Sequence, residues 1–130
     1  MPRTVVIIGA SFAGLGVVRA MEARAVDGDV NVILIDKKPY HEYHPLLYEV
    51  ATGAANGRAE DCEKILASGV CMNLNTFDRL LRGQHLTFRC DEVVAIDRRT
   101  RQVRLRSGDA ITYDALVLAL GSETAYYNIP

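Results

Sequence analysis

The chain is poor in the residues that mark several protein classes. Its 130 residues include no tryptophan and only three cysteines, Cys62, Cys71 and Cys90. An odd number of cysteines without a C-x-x-C pair argues against a disulfide framework and for a reducing compartment. Neither sign of charge is in excess, with 15 Lys+Arg against 16 Asp+Glu. That balance gives no basic surplus for nucleic acid, and no block of like charge marks a tail. Long apolar runs are missing as well. Val5 to Ile8 is too short for a secretory signal, and no stretch is long enough to span a bilayer. There is no internal repeat and no low-complexity linker. What remains is a chain long enough for one domain with a sizeable core.

The most informative stretch is Thr4-Val-Val-Ile-Ile-Gly9-Ala-Ser-Phe-Ala-Gly14-Leu-Gly16. Val5 to Ile8 have the β-branched composition of a fully buried parallel strand. Gly9 allows a tight turn out of that strand. Gly14 lets the following helix pack closely on it. Ser11, Phe12 and Ala13 lie at the start of this helix, whose backbone amides face any anion above the turn. The spacing follows the G-x-G-x-x-G dinucleotide fingerprint. The middle glycine is replaced by Ser11, whose hydroxyl could donate to a phosphate oxygen. An ordinary strand-to-helix turn would carry a similar glycine pattern, so the context has to decide.

The context agrees with the fingerprint. A helix is expected from about Phe12 to Arg24, with Leu15, Val18, Met21 and Ala25 facing a sheet. Asp27-Gly28-Asp29 ends it with turn chemistry. Val30 to Ile35 reads as a second strand, buried on both faces. It ends at Asp36, about twenty residues beyond Gly14, where the fingerprint places an acid for the adenosine ribose hydroxyls. Alone, Asp36 would read as a solvated strand end; after the glycine turn the ribose role is the better reading. An acid here also disfavours a 2′-phosphate, and Lys37 and Lys38 soften that repulsion.

Pro39 to Gly53 is rich in aromatics and histidines. His41 and His44 stand three apart between prolines, one short of the H-E-x-x-H spacing, so no metal site is expected. No redox cysteine pair stands here either, which argues against disulfide reduction. Leu46 to Ala51 can form a short helix ended by Gly53. Beyond it, helices are expected over Arg58 to Ala67 and Thr76 to Arg82, with Val70 to Leu74 as an element of no assigned role.

The carboxy-terminal part reads as strands. His85 to Cys90 is one and Asp91 to Asp97 leads through another. Gln102 to Arg106 alternates like an exposed strand, Ser107-Gly108-Asp109 makes a hairpin turn, and Ile111 to Tyr113 returns. Tyr113 to Gly121 is a final apolar strand. The expected fold class is α/β, with a Rossmann-like parallel core and a small antiparallel appendage.

The fingerprint with Phe12, the strand ending in Asp36, Tyr40-His41, and Pro45-Leu-Leu-Tyr48-Glu-Val-Ala-Thr-Gly53 together resemble the amino-terminal part of type II NADH dehydrogenases. These are NADH:quinone oxidoreductases of the FAD-dependent pyridine nucleotide-disulfide oxidoreductase superfamily. The Pro-Leu-Leu-Tyr stretch is the most specific part of the likeness. Tyr113-Asp114 leading to Ala119-Leu120-Gly121 is similar to a second signature of flavoproteins with two dinucleotide domains. The resemblance implies FAD as cofactor. It places Gly9, Ser11, Phe12, Ala13, Gly14, Asp36 and Lys37 about the adenosine and pyrophosphate, and His44, Leu46 and Leu47 on the flavin side. It puts the Val93 backbone at the adenine, and Ala119 and Gly121 against the cofactor. No catalytic residue is expected among them.

The resemblance covers nearly this whole chain but only the amino-terminal part of a typical family member. The NADH-binding domain, with its second glycine fingerprint, is absent, and so is the later segment that closes over the flavin. Residues 1–130 are therefore expected to be an incomplete FAD-binding domain. They are expected to be marginally stable and inactive alone, with a possible missing polypeptide half. NADH and quinone are the implied partners of the complete protein. Its implied place is the cytoplasm or the inner membrane face, with peripheral attachment through missing segments. Three other readings stay open. They are a ferroptosis-suppressor-like or sulfide:quinone reductase, a non-enzymatic nucleotide-binding module, and an NAD-dependent dehydrogenase using this single fingerprint.

Overall fold

The computed structural model describes residues 2–22, 30–39, 86–123, 125 and 127. The helices expected between Leu46 and Arg82, the turn at Asp27-Gly28-Asp29 and the Val70 to Leu74 element lie outside them. So do Ala25, His41, His44, Leu46 and Leu47.

The apolar run at the amino terminus forms strand β1 (Arg3–Ile8). Helix α1 (Phe12–Glu22) follows and leads to β2 (Val30–Asp36). The remaining strands are β3 (Leu86–Cys90), β4 (Val93–Asp97), β5 (Gln102–Leu105), β6 (Ala110–Thr112) and β7 (Ala115–Leu118). Four of them make a parallel sheet in the order β3-β2-β1-β7, and the other three an antiparallel sheet in the order β4-β5-β6. This is the expected α/β class, parallel core and antiparallel appendage included.

The alternation of side chains along the parallel strands sorts them into two cores. Ile7, Val32 and Leu34 point to one face, where Val18 of α1 packs with Leu15 and Met21 beside it. Val6, Ile8 and Ile35 point to the other, where Val103, Leu105 and Tyr113 cover them. The result is three layers: helix, parallel sheet, antiparallel sheet. Burying apolar side chains on both faces is what a parallel sheet needs. Val6, Ile7, Leu34 and Ile35 are accordingly 0% exposed.

Two expectations need correction. The strand β5 is not an exposed strand: Val103 and Leu105 are buried, and only the alternate residue Arg104 faces outward. The appendage is a covering layer whose inner face belongs to the core. Likewise β2 is buried on both faces only over its later part, since Val30 and Asn31 are exposed before the strand enters the core.

Strand order positions the site. From β1 the chain moves one way, to β2 and β3; β7 lies on β1's other side. In open α/β sheets, ligands bind outside the carboxyl ends of the strands where this order reverses. The turn Gly9 to Ser11 leaves β1 at that point.

Candidate functional site

The turn is held from three sides. The Gly9 amide donates to the Ile35 carbonyl at 2.8 Å, and the Ala119 amide donates to the Ile8 carbonyl at 2.8 Å. The third anchor is Asp36: its Oδ2 accepts the Ala10 amide at 2.7 Å. Oδ1 of the same carboxylate accepts the Lys38 amide at 2.8 Å. Asp36 thus ties the end of β2 to the middle of the fingerprint turn.

The glycines answer to geometry. Gly9 has φ +101°, and a Cβ there would stand 2.2 Å from the Ala119 carbonyl oxygen. Any side chain would force β7 and the turn apart. At Gly14 a Cβ would stand 1.8 Å from the Gly9 carbonyl oxygen, so only glycine lets α1 start this close to the strand it follows. Ser11 stands at the cap position of the helix, where its carbonyl accepts the Leu15 amide at 3.0 Å. Serine is among the preferred residues at that position. The helix therefore begins directly above the turn, with its positive end towards the sheet's carboxyl edge.

Of the residues assigned to the site, Gly9, Ser11, Gly14, Asp36 and Ala119 come together here. Phe12 and Ala13, the first two residues of α1, are exposed above the turn. Lys37 lies beside Asp36 and is exposed. Its ammonium meets Glu123 Oε1 at 2.9 Å, and this hydrogen bond and charge raise the lysine pKa and lower that of Glu123. Val93 begins β4, opposite Leu105, and half-buries its side chain against the sheet. The chain reaches it directly from the Asp36 side, since the Asp91 amide donates to the Asp36 carbonyl at 2.9 Å. Gly121 is exposed at φ +70°, with open space where a Cβ would stand. His44, Leu46 and Leu47 are outside the described residues.

Sequence reading missed two participants. One is Ala10, whose amide makes Asp36 part of the turn. The other is Glu123, 86 residues from its partner in the chain. No local pattern could have found the second. The first had a signal: a fingerprint acid and a turn on adjacent parallel strands, in register Ile8 with Ile35.

A small-residue turn beneath a helix start, with a half-buried carboxylate at the neighbouring strand end, can seat an anionic diphosphate and accept from ribose hydroxyls. Each Asp36 oxygen carries one amide, and a carboxylate oxygen can accept two hydrogen bonds, so capacity remains. The residues present therefore fit a dinucleotide. Among the described residues, no group of His, Cys, Asp and Glu could hold a metal ion.

The chain matches known proteins over nearly its whole length. The family described as pyridine nucleotide-disulphide oxidoreductase matches residues 3–130. A type II NADH:quinone oxidoreductase of Mycobacterium tuberculosis is 34% identical over 128 residues, covering 95% of this chain and 23% of the relative. A type II NADH:quinone oxidoreductase of Staphylococcus haemolyticus is 28% identical, covering 98% of this chain and 28% of the relative. The chain thus spans about a quarter of the length of these relatives. Among solved structures, a ferredoxin reductase from Rhodopseudomonas palustris superposes with a TM-score of 0.70 at 28% identity, over 98% of this chain and 28% of the other. An NADH:rubredoxin oxidoreductase from Clostridium acetobutylicum gives 0.69 at 21% identity, over 100% of this chain and 30% of the other, a likeness of fold. Family and neighbours together indicate a flavin-type cofactor. On the match over residues 3–130, the chain belongs to the pyridine nucleotide-disulphide oxidoreductase family.

Proposed function

We propose that residues 1–130 are the FAD-binding domain of an NADH:quinone oxidoreductase, and that the fingerprint turn holds the adenosine diphosphate half of FAD. The observation that supports this most is the convergence of Gly9, Gly14 and Asp36 on one turn at the strand-order reversal. Gly9 and Gly14 let the turn pack against Ala119 and α1 pack against the turn, which sets the shape of the place a diphosphate takes. The start of α1 supplies a positive backbone end towards it. Asp36 accepts from the ribose while bracing the turn through Ala10. Val93 presents backbone to the adenine, and Ala119 and Gly121 line the side towards the flavin.

Bound FAD supplies the redox chemistry, passing electrons from a reduced nicotinamide to a quinone. This chain's part is to bind and orient that cofactor; none of its described residues is assigned a proton or hydride. NADH and quinone would be engaged by the complete protein. Working on a lipid-soluble acceptor would bring that protein to a membrane surface; no described helix is long and apolar enough to cross a membrane.

The test is to purify the complete protein, load it with FAD, and follow NADH oxidation with a soluble quinone. Turnover in the ordinary enzymatic range, roughly 1–1000 per second, is expected. FAD retained tightly without any NADH oxidation would instead favour a nucleotide-binding module.

A further inference from the structure

Lys37 and Glu123 lie at the carboxyl ends of two strands that are not neighbours. Lys37 follows β2 and Glu123 follows β7, with β1 between them. Two strand spacings separate those ends, about 10 Å, and the Gly9–Ser11 turn rises in the gap. The ion pair at 2.9 Å therefore joins the segments that follow β2 and β7, on either side of β1 and its turn.

The segment leading to Glu123 is aimed by the backbone. Ala119 is fixed to the turn by its amide's bond to Ile8 and by close approach to Gly9. Gly121 then takes a left-handed conformation, φ +70°, although its missing side chain would have met nothing. The bend and not crowding calls for glycine there. Two residues later Glu123 meets Lys37.

Fold stability is a poor reason for this contact. The two side chains are 56% and 85% exposed, and exposed pairs contribute little. Position is a better one. An ammonium group has three donors, and Glu123 engages one of them while drawing the positive charge towards β7, over the place assigned to an anionic diphosphate.

We propose that Glu123 is a positioning residue for the dinucleotide site: through its bond to Lys37 it forms a strap over the fingerprint turn that slows cofactor release. This rests on the reading that the turn holds FAD.

The experiment measures FAD release by fluorescence after dilution, for the complete protein as parent and with Glu123→Gln, Lys37→Met or both. At low salt each single variant is expected to release FAD about 2- to 5-fold faster, the scale of an exposed ion pair. The double variant should be no faster than the quicker single one, because both remove the same contact. Salt near 1 M, where screening acts over about 3 Å, should speed release from the parent by about the same 2- to 5-fold. Since that arm needs no mutation, it stands even if a variant folds poorly. Glu123→Gln releasing FAD at the parent rate overturns the strap and leaves the FAD reading intact. Additive single effects also overturn it, since Lys37 then acts without Glu123. A parent that does not take up FAD overturns both.

Discussion

At the scale of single residues, Asp36 divides its carboxylate between the Ala10 and Lys38 amides, at 2.7 and 2.8 Å. Two consequences separate by substitution. Asp36→Ala removes the proposed ribose acceptor and the bond to the Ala10 amide, so FAD affinity should fall by roughly 1.5–3 kcal/mol, the range for bonds to a charged group. Asp36→Asn keeps one acceptor oxygen and should lose less. Flavin fluorescence titration checks both, and unchanged affinity in the alanine variant would remove Asp36 from the site. Ser11 makes a complementary case. Ser11→Gly restores the common fingerprint and should bind FAD as the parent does. Ser11→Val should block the approach of the diphosphate and also weaken the helix cap by about 1 kcal/mol. The affinity loss has to be compared with the thermal midpoint to separate the two. The place of Asp36 at the end of β2 was legible in the sequence because it depends on spacing along one βαβ unit. The Lys37–Glu123 pair was not, because it depends on where two distant strand ends meet in space.

At the scale of elements, the β1–α1 junction is intolerant of volume. Gly14→Ala would place a methyl 1.8 Å from the Gly9 carbonyl oxygen, a backbone atom that cannot swing aside. Forced shifts of this kind cost about 1–3 kcal/mol, so denaturant unfolding should show a loss in that range, with FAD binding weakened alongside. Gly16→Ala is the control, since a Cβ there meets nothing within 4 Å and alanine favours the helix.

The β4–β5 hairpin depends on its turn. Asp97 Oδ1 accepts the Arg99 and Thr100 amides at 2.9 and 3.1 Å. Hydrogen bonding to Thr100 is the chief cause that holds the Asp97 carboxyl below its ordinary pKa. A depressed carboxylate stabilises the fold above its unfolded pKa, and that share is lost as pH falls through the folded value. Asp97→Ser keeps an uncharged acceptor. Its thermal midpoint should therefore fall less than the parent's between roughly pH 5 and pH 2. Equal slopes would contradict the assignment.

Sequence alternation marked Gln102 to Arg106 as a strand, but it left β5 exposed. Leu105 and Val103 look half-polar beside Arg104 and Arg106; only the stacking of the second sheet on Val6, Ile8 and Ile35 explains why they are buried.

At the scale of the whole molecule, three layers converge on one sheet edge, and the proposed chemistry depends on that edge holding FAD. The switch-point position and the close-packed turn both bear on the proposed seat of the adenosine diphosphate half. Leu118 and Leu120, beside that edge, are 60% and 67% exposed. The parallel core and the helix after β1 were readable from a short apolar run, a small-residue turn and a helical period. The antiparallel layer was readable as strands but not as a lid on the core, because its contacts join residues about a hundred positions apart, such as Val6 with Val103.

The most direct measurement is an equilibrium titration of the complete protein with FAD, followed by competition with ADP, FMN and NAD. The account predicts one FAD per chain, displaced by ADP through the shared diphosphate and adenosine, and left in place by FMN at the same concentration. FAD displaced by FMN but not by ADP, or NAD binding in preference to FAD, would contradict it.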